Sequence, residues 1–109
     1  MPVAKLEGFT QRDQKLAAFA KALSHPARIA ILRHLAAKGT CICGEIVDEL
    51  PLAQSTVSQH LKALQQAGLI QGEIEGPRTC YCLDVKAIRL MAEALSSLGK
   101  TVAFGPGCC

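Results

Sequence analysis

Six cysteines are the residues of this sequence with the most distinctive chemistry, and they form three close pairs in 109 residues. The pairs are Cys41 with Cys43, Cys80 with Cys82, and Cys108 with Cys109. No charged start leads into an apolar signal segment, so we expect a cytoplasmic protein whose thiols are reduced. Clustered reduced thiols indicate binding of a soft metal or metalloid, or redox chemistry.

A polar helix predicted over residues 53–67 carries the second group of candidate binding residues. Val57, Leu61 and Leu64 share one face and predict its buried side. The other side offers amide, hydroxyl and amino groups, and residues 51–72 contain no acid. Such groups contact phosphates and base edges of double-stranded DNA, although an ordinary solvated helix that lacks acids is the alternative. The candidate DNA-binding residues on this helix are Gln54, Ser55, Thr56, Ser58, Gln59, His60 and Lys62.

Two helices are predicted before the first cysteine pair, and a loose arm (residues 1–10) precedes them. The first helix covers residues 11–23, and the second continues to residue 37 and ends before Gly39. Ser24 is the candidate N-cap of the second helix, with Pro26 in its first turn. One face of the first helix carries Leu16, Phe19, Ala20 and Leu23, and the second helix is predicted to bury Ile29, Leu32 and Leu35.

The remaining elements are short until the last helix. A brief strand over residues 40–43, which ends at Gly44, is followed by a short helix over Glu45 to Leu50 and by the polar helix. Gly68 is in the usual position for a left-handed C-cap. Strands over residues 70–75 and 79–83 form a hairpin with Arg78 near its tip. A final helix over residues 85–98 has one apolar face, Gly99 ends it, and residues 99–109 form a flexible tail. That face consists of Ile88, Met91, Ala92, Leu95 and Leu98.

Composition excludes several classes of function. The formal charge of +3 gives modest attraction to nucleic acid, and one Tyr with three Phe provides no base-stacking surface for single strands. No run of about 18 apolar residues predicts a membrane span. The three histidines belong to helix starts and faces, and no nucleophile–base signature accompanies the thiols, so we expect no enzyme.

The order of elements predicts a mainly α-helical fold with a small β-wing, in which residues 11–98 form one winged helix-turn-helix domain. The order is helix-helix-strand-helix-helix-strand-strand-helix. Arg78 is placed to contact phosphate or the neighbouring minor groove, with a plain solvated turn residue as the alternative. Three motifs in this order resemble the ArsR/SmtB family of winged-helix repressors. They are residues 22–32 (ALSHPARIAIL), residues 55–64 (STVSQHLKAL), and residues 67–70 (AGLI) with 81–83 (YCL).

The resemblance covers residues 11–98 and implies how the protein works. It implies a homodimer built from the first and last helices, an operator with dyad symmetry, and release from DNA when a toxic metal or metalloid binds. Arsenic-sensing members carry a Cys-x-Cys pair near the start of the third helix. The matching positions here are Ile42 and Gly44, so Cys41 and Cys43 are one residue out of phase and the family's ligands do not transfer directly.

Strand alternation suggests a substitute site. If Ile42, Tyr81 and Leu83 point to the core, both strand cysteine pairs lie on the outer face of their strands. Winged helices of this type pair the short strand with the returning wing strand, which would bring four thiols together. Arsenite As(III) favours three thiolates, Sb(III) is its analogue, and Zn(II) or Cd(II) would take four. Cys108 and Cys109 could add a ligand from the tail, within or between subunits.

Three alternatives stay open for the cysteines. A thiol redox or persulfide sensor would form disulfides on the same DNA-binding fold, without metal. A Zn(II)- or Cd(II)-responsive repressor, or a constitutive repressor with structural zinc, would use the same ligands differently. The thiols could also be small buried hydrophobes with no role in binding.

Overall fold

The computed structural model describes residues 8–39, 41–43, 50–75 and 78–106, which form four helices and three strands in the described part of the chain. The predicted short helix over residues 45–50 lies outside these ranges except for Leu50, as do most of the predicted arm and the tail cysteines Cys108 and Cys109. The elements in chain order are α1 (Gln11–Ala22), α2 (Pro26–Lys38), β1 (Cys41–Cys43), α3 (Gln54–Gln66), β2 (Ile70–Glu75), β3 (Arg78–Leu83) and α4 (Val85–Phe104).

The three strands form one antiparallel sheet in the order β1-β3-β2. The predicted hairpin is confirmed, since β2 and β3 pair from Ile70 opposite Leu83 to Glu75 opposite Arg78. The pairing of the short strand with the returning wing strand is confirmed as well. Ile42 lies opposite Tyr81 at the centre of that pairing. The central strand β3 is therefore paired with β1 on one side and with the wing strand β2 on the other.

One apolar core connects the helices to the sheet. The prediction for α3 is confirmed, because Val57, Leu61 and Leu64 are all buried. The prediction for α2 is partly wrong: Ile31 joins Leu35 in the core, whereas Ile29 and Leu32 are only half-buried. The full core cluster is Phe19, Ala22, Ile31, Leu35, Ile42, Val57, Leu61, Leu64, Leu69, Ile70 and Met91.

The helix ends have identifiable causes. The candidate cap Ser24 is wrong for α2: its hydroxyl donates to the Lys21 carbonyl, and His25 is the N-cap, accepting from the Ala27 N–H through Nδ1 at 3.0 Å. The cap must accept an N–H near the first turn, and an extended His25 before Pro26 is placed to do so. The left-handed C-cap of α3 is confirmed, since Gly68 has φ 81°.

The last helix is longer than its sequence pattern predicts. It continues through Gly99 to Phe104, and the Thr101 hydroxyl donates to the Ser97 carbonyl within the added turn. A glycine inside a helix costs only about 1 kcal/mol relative to alanine, so Gly99 does not by itself end the helix. Residues 99–104 are thus helix rather than tail.

The predicted apolar faces of α1 and α4 are only partly covered within one chain. Phe19 and Met91 are buried, whereas Ala20 and Ala92 are exposed and Leu95 and Leu98 are 39% and 48% exposed. An apolar face remains uncovered as a result. No helix in the described residues is long and apolar enough to cross a bilayer.

Candidate DNA interface and cysteine cluster

The polar face of α3 is on the surface of the molecule. Its buried stripe packs against α2 and β2, which turns the opposite side outward. No side chain caps its N-terminus and no acid lies in its first turn, so the positive end of the helix dipole is open to an anion. The exposed candidate residues are Gln54, Ser55, Ser58, Gln59 and Lys62, and Thr56 is half-buried.

His60 occupies a different place from the other candidates on α3. It is only 9% exposed and lies on the buried side, where its Nδ1 accepts a hydrogen bond from Arg28 Nε at 3.1 Å. The ring of His25 lies beside it, with 4.3 Å between ring centroids. Its position in the sequence already signals burial, since residues 57, 60, 61 and 64 share one helical stripe. Sequence reasoning missed Arg28 as its partner.

Arg78 begins β3, opposite Glu75 at the tip of the hairpin. The structure describes its backbone, and its side chain lies outside what is described. Its position at the wing is the predicted one, and contact with DNA stays a prediction.

The β1–β3 pairing brings the strand cysteines opposite one another. Cys41 faces Cys82, and Cys43 faces Cys80. Cys41 and Cys82 are joined by a disulfide, with 4.1 Å between their Cα atoms. The expectation of reduced thiols is therefore wrong for this pair in the structure, because directly opposite positions on paired strands bring their sulfurs within bonding reach. The predicted juxtaposition is confirmed.

Cys80, in the second register pair, is buried, whereas Cys41 in the first is exposed. Cys80 is also disulfide-bonded and is 4% exposed, although the alternation predicts an outer position for it. Cys80 is counted among the buried apolar residues, although it is not part of the cluster that Tyr81 and Leu83 contact. Alternation predicts which face of the strand carries Cys80, and the structure shows that this face is covered at Cys80. Only the backbone of Cys43 is described.

In their disulfide form these cysteines are not metal ligands. Among the described residues, no three His, Cys, Asp or Glu side chains are grouped to hold an ion. Reduction of Cys41 and Cys82 would yield two opposed thiols, which as thiolates are donors suited to soft ions. The donor set fits a soft metal or metalloid only after reduction.

Comparison with known proteins identifies the family. Residues 23–73 match a helix-turn-helix domain family. The chain is 39% identical over 72 residues to the HTH-type transcriptional regulator MJ1325 of Methanocaldococcus jannaschii, covering 65% of this chain and 80% of the relative. It is 36% identical over 91 residues to the regulator CmtR of Mycobacterium tuberculosis, covering 84% and 74%. The chain belongs to the ArsR/SmtB family of metal-responsive transcriptional repressors.

Other members of the ArsR/SmtB family agree with this assignment. The repressor SmtB of Mycobacterium tuberculosis is 38% identical over 81 residues, which span 73% of this chain and 59% of SmtB. An ArsR-like regulator from Rhodococcus sp. RHA1 shares the fold with a TM-score of 0.71 at 24% identity, covering 86% of this chain and 88% of that one. This ArsR/SmtB chain is a DNA-binding transcription regulator and not an enzyme.

Proposed function

We propose that this protein is a homodimeric repressor that leaves its operator when trivalent arsenic, or antimony, binds the cysteine thiolates of β1 and β3. The observation that carries the proposal is the register of the two strands, in which Cys41 lies opposite Cys82 and Cys43 opposite Cys80. Two opposed pairs of soft donors on neighbouring strands suit an ion that prefers thiolates. Cys108 and Cys109 are proposed as additional ligands.

Operator binding is assigned to α3, with Arg78 contacting DNA from the wing. The exposed amides of Gln54 and Gln59 suit adenine in the major groove, and Lys62 suits guanine. The hydroxyls of Ser55 and Ser58 suit phosphate oxygens. Thr56 is a half-buried neighbour of these groups. The absence of acid on this surface supports the assignment, since a carboxylate there would repel the DNA backbone.

Dimerisation is assigned to α1 and α4. The four large apolar side chains that follow Met91 along α4 are exposed, Phe104 most of all at 84%. Since α1 packs against α4, a second copy could cover both helices at once. A dimer with two-fold symmetry requires an operator with dyad symmetry. The large exposed apolar residues in the described part of α4 are Val85, Leu90, Leu95, Leu98, Val102 and Phe104, of which the last four are assigned to the dimer surface.

The sheet connects the proposed cysteine site to α3, the proposed DNA-binding helix. β3 packs against α2 and pairs with β2, and β2 packs against α3. A change in the β1–β3 contact can therefore alter how α3 is held. A coupling of about 1–3 kcal/mol between the two sites would lower operator affinity roughly 5- to 150-fold.

A thiol redox sensor is the second candidate function, and the Cys41–Cys82 disulfide favours it. In that case two thiols would lose two protons and two electrons to a peroxide, which leaves as water, and the new disulfide would change the β1–β3 contact. Ion binding and oxidation use the same sulfurs, so an oxidised protein cannot respond to arsenite through this pair. Zn(II) or Cd(II) held by four thiolates remains the third candidate.

The deciding experiment is fluorescence anisotropy of reduced protein on labelled duplex DNA from upstream of its own gene. Arsenite, antimonite, Zn(II), Cd(II) and peroxide are added in parallel. We expect stoichiometric arsenite or antimonite to release the DNA, and excess dithiol to restore binding. Release by peroxide alone would replace the metalloid proposal with the redox sensor. Release by Zn(II) or Cd(II) alone would make the protein a sensor of those ions.

Lys62→Glu is expected to weaken operator binding by about 1–3 kcal/mol, roughly 5- to 150-fold, because it removes a base or phosphate contact and adds an acid to the α3 surface. Lys86→Glu, at the start of α4, makes the same charge change at another exposed lysine and is the matched control. Anisotropy on the same duplex measures both affinities. Equal losses in the two variants would mean that net charge alone matters and would remove α3 from the proposed interface.

A further inference from the structure

A single arginine joins three helices of this fold. Arg28 lies in the first turn of α2, and its Nη1 donates to the Lys21 carbonyl at the end of α1 at 3.1 Å. Its Nε donates to His60 Nδ1 on α3, also at 3.1 Å, across 32 residues of sequence. The guanidinium therefore ties the junction of α1 and α2 directly to the helix assigned to operator DNA.

His60 is held on its buried side by two groups of α2. Arg28 donates to its Nδ1, and the His25 ring is tilted by 37° at 4.3 Å between centroids. His25 is itself fixed, because its Nδ1 accepts the Ala27 N–H that caps α2. Within the described residues, His60 is the one buried polar side chain. Arg28 and His25 are the charged and titratable groups that face it from α2, and the neutral Lys21 carbonyl of α1 shares Arg28.

The contact requires a neutral His60. Arg28 has only N–H donors, so Nδ1 must offer its lone pair and the ring proton must lie on Nε2. Protonation of His60 at Nδ1 would place its N–H against the N–H of Arg28 Nε and break the hydrogen bond. Burial lowers the pKa of His60, and the charges of His25 and Arg28 lower it further. The neutral ring is therefore fully present above the ordinary value of about 6.5, and it is lost as pH falls through the lowered pKa.

We propose that His60 is a positioning residue for operator binding, and that its hydrogen bond with Arg28 sets the rotation of α3 against α2. The apolar contacts of Val57, Leu61 and Leu64 hold α3 in place but impose little direction. The hydrogen bond is directional and so fixes how α3 is rotated about its axis. Gln59 and Lys62, within two residues of His60, lie on the exposed side of the same helix. This inference rests on operator binding by α3 and is independent of the inducing ion.

Two variants separate positioning from simple folding. His60→Asn offers an amide oxygen that accepts from Arg28 without titrating in this range, and His60→Leu fills the space without an acceptor. Affinity for the labelled upstream duplex is measured by anisotropy from about pH 7.5 to about pH 4.5, a range that extends well below the ordinary histidine pKa of about 6.5. Circular dichroism at each pH reports the folded fraction.

As pH is lowered, we expect the operator affinity of the unaltered protein to fall more than that of His60→Asn. At about pH 7.5 the affinities of the two proteins should be similar. His60→Leu is expected to lose about tenfold in affinity at the higher pH while folded. If His60→Leu does not fold, the pH profile of His60→Asn decides. Identical profiles for His60→Asn and the unaltered protein would overturn the proposal. No binding by the unaltered protein at any pH would overturn operator binding and this inference together.

Discussion

Reduction of the Cys41–Cys82 disulfide is expected to lower the free energy of unfolding by about 3–4 kcal/mol, as the chain-entropy model gives for a loop of this length. The two cysteines are 41 residues apart and enclose α3 and most of the sheet, so the bond removes many conformations from the unfolded chain. Urea unfolding with and without a phosphine reductant measures the difference. A shift of this size is a large share of the stability of a small domain.

The control for this prediction is the double variant Cys41→Ser with Cys82→Ser. Cys80 is also disulfide-bonded, so reductant acts on the unaltered protein at more than one bond. The variant keeps the disulfide of Cys80 and lacks the Cys41–Cys82 disulfide. The reductant should therefore destabilise the unaltered protein more than it destabilises the variant, by at most about 3–4 kcal/mol because the second disulfide already restricts the unfolded chain. An equal effect on both would mean that Cys41 and Cys82 are not joined in solution.

The same double variant is expected to bind operator DNA normally when reduced and to fail to release it with arsenite. Serine keeps the size of the side chain but offers a hydroxyl, which is a poor ligand for a soft ion. The expected loss is the whole of the roughly 5- to 150-fold release that a coupled site provides. Anisotropy at stoichiometric arsenite measures it on the reduced proteins.

The matched control is Cys108→Ser with Cys109→Ser, which removes the same number of thiols from the end of the chain. We expect this variant to retain release, because the favoured ligands lie in β1 and β3. If release survives in the strand variant and disappears in the tail variant, the site belongs to the tail. If both variants release normally, neither pair is required and the proposed site is wrong.

The surface of α3 was predictable from the sequence because helical periodicity is a local property. Val57, Leu61 and Leu64 are buried as their spacing predicts, and Gly68 ends the helix with the expected positive φ. The same reasoning was less reliable for α2, where Ile29, Ile31 and Leu32 are close together in the sequence. Of these three, only Ile31 is fully buried. Periodicity identifies a face, and the packing of other elements decides which residue lies at its centre.

The cysteine register was only partly predictable. Alternation along β1 and β3 predicts that cysteines two residues apart share a face, and the resemblance to winged helices supplied the pairing of these strands. Covalent bonding of Cys41 to Cys82 depends on how closely two backbones separated by 41 residues approach. The burial of Cys80 likewise depends on what covers the sheet.

By itself, the sequence determined the order of the described helices and strands, the acid-free surface of α3 and the shared face of cysteines two residues apart, since each follows from neighbours within a few residues. The tertiary structure decided that Cys41 and Cys82 are bonded and that His60 accepts from Arg28. It also left the apolar side of α4 exposed. These outcomes depend on distances between residues far apart in the chain, which local spacing does not specify.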